Sequence, residues 1–150
     1  MGQLPAPTLQ NLAELFPLLV RDITAQFGDA GIKLLGQTLR QYGRAEGKRV
    51  RETVQSLGLK PDLDSFLRFH PGVIGRRVNI VRSPDNCGFD ICHCPLEVLD
   101  LEEQNIEVRR LVCVLDLAII EGFNPNLVHH HSSCLRLGSE SCYLVSRIVS

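Results

Sequence analysis

Leu111-Val112-Cys113-Val114-Leu115-Asp116-Leu117-Ala118-Ile119-Ile120 is apolar at every position except Asp116. It lies within a helical stretch from about Glu107 to Glu121 that Gly122 should end. A helix apolar on almost every face should be thoroughly buried. Asp116 is then a carboxylate in apolar surroundings, which has to be paired, hydrogen-bonded, metal-bound or protonated. Cys113, one turn earlier, shares its side of the helix. Asp116 is accordingly a candidate acid or base; the competing reading is a carboxylate that ties down a loop or an arginine.

Upstream, the apolar positions Leu9, Leu12, Leu15, Phe16, Leu19, Ile23 and Phe27 recur at three and four, with Thr8 as N-cap. Pro17 should kink or split that helix, and Gly28 should end it. A second helix is expected from about Asp29 to Leu57, stopped by Gly58 and Pro61. Gly43 and Gly47 lie within it, and each costs roughly 1 kcal/mol against Ala, so they suggest close packing against another backbone. A short helix, Asp62 to Phe69, precedes a turn at His70-Pro71-Gly72. Val73 to Arg82 and Gly88 to His93 then read as strands, Leu96 to about Glu103 as a helix, and Asn126 to Leu137 with Cys142 to Val149 as a final hairpin. The expectation is one α+β domain. Helices over about 1–70 pack with an antiparallel sheet of about four strands, and two further helices belong to the sheet-containing part, about 71–150.

The chain has 150 residues, enough for one core, and its net charge of −1 gives no electrostatic case for nucleic acid. Its longest apolar runs are too short to span a bilayer. The N-terminus does not read as an export signal, so the expectation is a cytoplasmic chain with reduced cysteines. Cys87, Cys92, Cys94, Cys113, Cys134 and Cys142 all fall in the second half, with four of the five histidines.

Pro95 favours the first position of a helix, which sets Cys94 at the N-cap. There, unpaired N–H groups and the helix dipole stabilise a thiolate, as a nucleophile requires. A buried structural cysteine ending a strand is the competing reading. After Gly122, Asn124-Pro125 makes a tight turn. In the strand that follows, alternation sets His129, His131 and Ser133 on one face and His130, Ser132 and Cys134 on the other.

Tyr42-Gly43-Arg44-Ala45-Glu46-Gly47, Cys94-Pro95, Cys113-x-x-Asp116, Glu121-Gly122-Phe123-Asn124-Pro125-x-Leu127 and Gly138-x-x-x-Cys142 occur in one order over nearly the whole chain. Together they resemble the L-2-amino-thiazoline-4-carboxylic acid hydrolase family. The resemblance implies an α+β fold with some likeness to vinyl-reductase-type small-ligand domains. It also implies that Cys94, Asp116, Asn124 and Cys142 match motif positions. Cys87, Cys92 and the triple histidine are not part of that pattern.

The leading expectation is a hydrolase that opens a small cyclic amidine or thiazoline ring at a C–N bond, without a cofactor. Its catalytic candidates are Cys94, Asp116, His131 and Cys142, and its substrate-binding candidates are Arg44, Asn124 and His129. An alternative is a module holding zinc or an iron–sulfur cluster on Cys87, Cys92, Cys94 and Cys113, with Cys134, Cys142 and the histidines as further donors, at a spacing that fits no standard signature. A third is a small-ligand-binding domain without turnover. The expected partner is a small molecule, and the helix-rich first half leaves room for a homodimer.

Overall fold

The computed structural model describes residues 9–69, 78–82, 87–91, 106–134, 138–139 and 142–148. Its first element, α1, runs over Leu9–Ser56, 48 residues that include Pro17. The one residue with non-helical angles inside it is Gly28, at φ 53° and ψ −135°. The break therefore falls at glycine, whose missing Cβ permits that conformation, and not at Pro17. It lets Val20, in the first arm, join a cluster with Val108 and Leu111 against which Ile32, Leu35 and Leu39 of the second arm also pack.

The end of α1 is fixed by backbone bonding. Gly58, at φ 71°, donates its N–H to Gln55 O at 2.9 Å, and Leu59 donates to Val54 O at 3.1 Å. This pair of bonds satisfies carbonyls the helix leaves open, with glycine in the left-handed conformation at the position that favours it. The next helix, α2 (Leu63–Phe69), begins where Asp62 Oδ1 accepts the Ser65 N–H at 3.0 Å. Its Phe66 is buried against Phe123, with ring centroids 5.1 Å apart.

The strands are β1 (Val78–Arg82), β2 (Cys87–Ile91), β3 (Leu127–Ser133) and β4 (Cys142–Ile148), with α3 (Ile106–Phe123) between β2 and β3. The strands pair antiparallel in the order β1-β2-β4-β3. Between His131 and Ser133 the β3 register against β4 shifts, so the strict alternation that grouped Ser133 with His129 and His131 is interrupted. The first expected strand, Val73 to Arg82, is described only from Val78, and the expected helix at 96–103 lies outside the described residues.

The expected α+β arrangement, with N-terminal helices packed on a four-stranded sheet, is corrected. Helix dominates the described chain, and the principal packing is helix on helix: α1 lies along α3, while α3 makes a smaller contact with β3. The physical reason is a seam of small residues. A Cβ on Gly43 would come within 2.7 Å of both Ala118 Cβ and Leu115 O, and one on Gly47 within 2.6 Å of Phe123 N. From the other side, a Cβ on Gly122 would meet Arg44 Cα at 2.7 Å. The two backbones touch where side chains would hold them apart, so the glycines of α1 face α3 and leave the sheet to one side. Gly36 lies near Leu111, Gly43 near Ala118 and Gly47 near Phe123, so the second arm of α1 and α3 run in the same direction.

Two apolar clusters flank this seam. One contains Val20, Val108 and Leu111; the other contains Val54, Phe66, Ile120, Phe123 and Leu127. The second joins the end of α1, α2, the end of α3 and the start of β3 around the α3–β3 turn, which carries the site.

Candidate functional site

The face of α3 that meets α1 is marked by Leu115, Ala118, Ile119 and Gly122. At 3.6 residues per turn, Cys113, Leu117 and Ile120 fall on the other side, with Asp116 and Glu121 at its two borders. The glycine seam therefore turns Cys113 away from the helix pair and leaves Asp116 at its edge. Cys113 and Asp116 are both half-buried. Asp116 is engaged within the protein, in keeping with the demand that a carboxylate in this setting be accompanied.

At the second border, Arg44 Nε donates to Glu121 Oε2 at 3.0 Å across 77 positions of sequence. Both side chains are about half exposed, at 55% and 46%, so solvent screens the pair and its contribution to stability is about 0–1 kcal/mol. Its structural effect is orientation. The bond occupies Nε and leaves the terminal guanidinium nitrogens to other partners. Arg44, Leu117, Ile120, Glu121, Pro125, Leu127 and Val128 line an open groove of about 620 Å³, mostly apolar with this ion pair in its wall. On its other side Arg44 shares a second depression, about 480 Å³, with Gln37, Arg40, Gln41, Ala45 and Lys48.

The turn after α3 is held by Asn124. Its Nδ2 donates to Pro61 O at 2.8 Å, and its Oδ1 accepts the Asn126 N–H at 3.0 Å. One side chain thus joins the α3–β3 turn to the α1–α2 connection, and sets Pro125 and Leu127 in the groove wall. Asn124→Ala should lower stability by about 1–3 kcal/mol, because the Pro61 carbonyl and the Asn126 N–H lose their partner. A urea unfolding curve checks this through its midpoint.

The remaining site candidates are placed by backbone alone or fall outside. His129 pairs in register with Ser146 and His131 with Leu144, while Cys142, at the start of β4, pairs with Ile91. Cys94, Cys92 and the Cys94-Pro95 junction lie outside the described residues, so the N-cap reading of Cys94 stays an expectation. Of the alternative metal set, Cys87 begins β2 and Cys113 sits in α3. Cys113 Sγ lies 3.8 Å from Sγ of Cys134, one of the further donors. Among the described residues no group of three or more His, Cys, Asp or Glu side chains could hold a metal ion, and no described helix is long and apolar enough to cross a membrane.

Sequence reasoning left Glu121 out of the site and offered Cys134 only as a further donor to the metal alternative. Glu121 was legible in one respect: it opens the segment Glu121 to Leu127, and the structure sets that segment against the segment Tyr42 to Gly47. The contact of Cys134 with Cys113 carried no such signal, because it is reached only through the fold.

A helix-dominated domain with a groove at one helix end is the class that this geometry defines. The model of the L-2-amino-thiazoline-4-carboxylic acid hydrolase family matches residues 10–145, and the chain belongs to that family. No curated protein matches it. Among solved structures it is similar to a trafficking protein particle complex subunit 3 from Naegleria fowleri, covalently bound to palmitic acid. The TM-score is 0.57 at 14% identity, over 94% of this chain and 95% of the other. At that identity the likeness shows the fold alone. It accords with the correction above, in which helices and not a helix-covered sheet set the architecture.

Proposed function

We propose that the chain hydrolyses a small cyclic amidine or thiazoline that carries a carboxylate, in the groove between α1, the end of α3 and the start of β3. The observation that carries this reading is the Arg44–Glu121 contact. It joins two segments that resemble the family's motifs and lines an apolar groove with one oriented cation. The family's name supports a hydrolase-like role; in this reading water adds to the electrophilic ring carbon, and the ring C–N bond opens.

In this reading the terminal nitrogens of Arg44 bind the substrate carboxylate, and Glu121 keeps the guanidinium facing the groove. Leu117, Ile120 and Leu127 take the ring. Asp116, or His129 or His131 on β3, activates water and returns a proton to the departing nitrogen. Cys94 polarises the ring carbon, or attacks it first, in which case water displaces its sulfur once the C–N bond has opened. Cys142, at the opposite end of β4 from the Ile148 that pairs with Leu127, lies away from the groove. Asn124 acts by holding the turn that forms the wall. No cofactor takes part.

Incubation with 2-amino-thiazoline-4-carboxylate, followed by mass spectrometry, tests the reading against a binding domain without turnover. A hydrolase yields a product heavier by one water; a binding domain gives a rise in melting temperature and unchanged ligand. Arg44→Ala should raise KM about 10- to 100-fold with a smaller change in kcat, since a charge-assisted contact made in both ground and transition states contributes about 1.5–3 kcal/mol. A fall in kcat at constant KM would assign Arg44 another role.

A further inference from the structure

Cys113 and Cys134 form a pair that the hydrolytic reading does not use. Cys113 is half-buried on the face of α3 turned away from the glycine seam, and Cys134, just after β3, is 5% exposed. Their sulfurs are 3.8 Å apart, in contact as two thiols and beyond the bonded distance of about 2 Å. Rotation of the two side chains is the motion that closes such a gap. The pair is 21 positions apart in sequence and bridges a helix and the end of a strand. Cys134 is held in place from the far side: its N–H meets Ser139 Oγ at 3.4 Å, and Ser139 N–H donates to Cys134 O at 3.2 Å.

We propose that Cys113 and Cys134 are a redox-active dithiol that takes up the oxidising equivalents of a low-molecular-weight disulfide. The more accessible sulfur begins the exchange. The Cys113 thiolate attacks one sulfur of the small disulfide, whose S–S bond breaks and releases one thiolate. Cys134 gives its proton to solvent and attacks the Cys113 sulfur of the mixed disulfide, releasing the second small thiol. Two protein thiols are oxidised, and one small disulfide is reduced to two thiols. The new bond ties α3 to the end of β3, one helical turn from Asp116. The inference stands on the sulfur geometry and is independent of the hydrolase reading.

The test uses the full chain treated with oxidised glutathione, digested without reductant and mapped by mass spectrometry. The expected result is a dominant Cys113–Cys134 linked peptide, an intact mass lower by two hydrogens, and a melting temperature raised by about 5–10 °C, all reversed by dithiothreitol. Cys134→Ser should instead accumulate a glutathione adduct at Cys113. A crosslink joining other cysteines, an unchanged intact mass, or an adduct absent from Cys113 in Cys134→Ser overturns the proposal. The wild-type map stands even where a variant fails to fold.

Discussion

Gly47→Ala should destabilise the protein by about 3 kcal/mol or more, and lower its melting temperature by about 10 °C. The added methyl meets the Ile119 carbonyl oxygen, Phe123 N at 2.6 Å and the Gly122 carbonyl carbon at 2.9 Å. All three are backbone atoms, so no side chain can rotate out of the way. Either α1 and α3 separate or the helix distorts, and both loosen the cluster of Val54, Ile120 and Phe123 beside the seam. Gly36→Ala is the matched control. Its new Cβ finds Leu111 Cδ2 at 3.5 Å, an ordinary contact, and the substitution removes the helical cost of glycine, so it should stabilise by up to about 1 kcal/mol. Thermal unfolding of the two variants checks the pair; equal effects would mean that the seam does not set the helix packing.

Asp116→Asn should lower kcat for ring opening by about 100-fold or more, the scale of general acid–base catalysis. Asparagine keeps the size and much of the hydrogen bonding of the side chain while removing its charge and its ability to take a proton. Melting temperature should change far less than activity. The structural role weighed against catalysis gives the opposite result, because a carboxylate that only ties down its surroundings would cost stability and leave turnover in place. The two readouts together therefore separate the roles.

The helices were legible because their causes are local. Gly58 and Pro61 mark the end of α1 and Asp62 opens α2, but the apolar run in α3 overstates its own burial, since Cys113 to Leu117 and Ile119 are only half-buried. Gly43 and Gly47 also predicted a close backbone approach, since glycine inside a helix needs a compensating contact. What that approach was made to was not legible. The partner, α3, is fixed by Ala118 and Gly122, far along the chain, and nothing local distinguishes a helix surface from a sheet surface. Pro17 and Gly28 both read as interruptions of α1, yet proline continues the helix and only glycine leaves helical angles. In the site, Arg44 and Asp116 were visible as a cation and a carboxylate of the right kind. Glu121 and the Cys113–Cys134 contact depend on how α1, α3 and β3 come together, which spacing alone does not encode.

The claim that this groove hydrolyses a cyclic thiazoline acid is tested most directly by product mass. Wild-type protein and Asp116→Asn are incubated in parallel with 2-amino-thiazoline-4-carboxylate in water carrying a heavy oxygen isotope. The wild type should yield an opened product bearing one heavy oxygen, and the variant almost none. Recovery of unchanged substrate from the wild-type protein would contradict the claim.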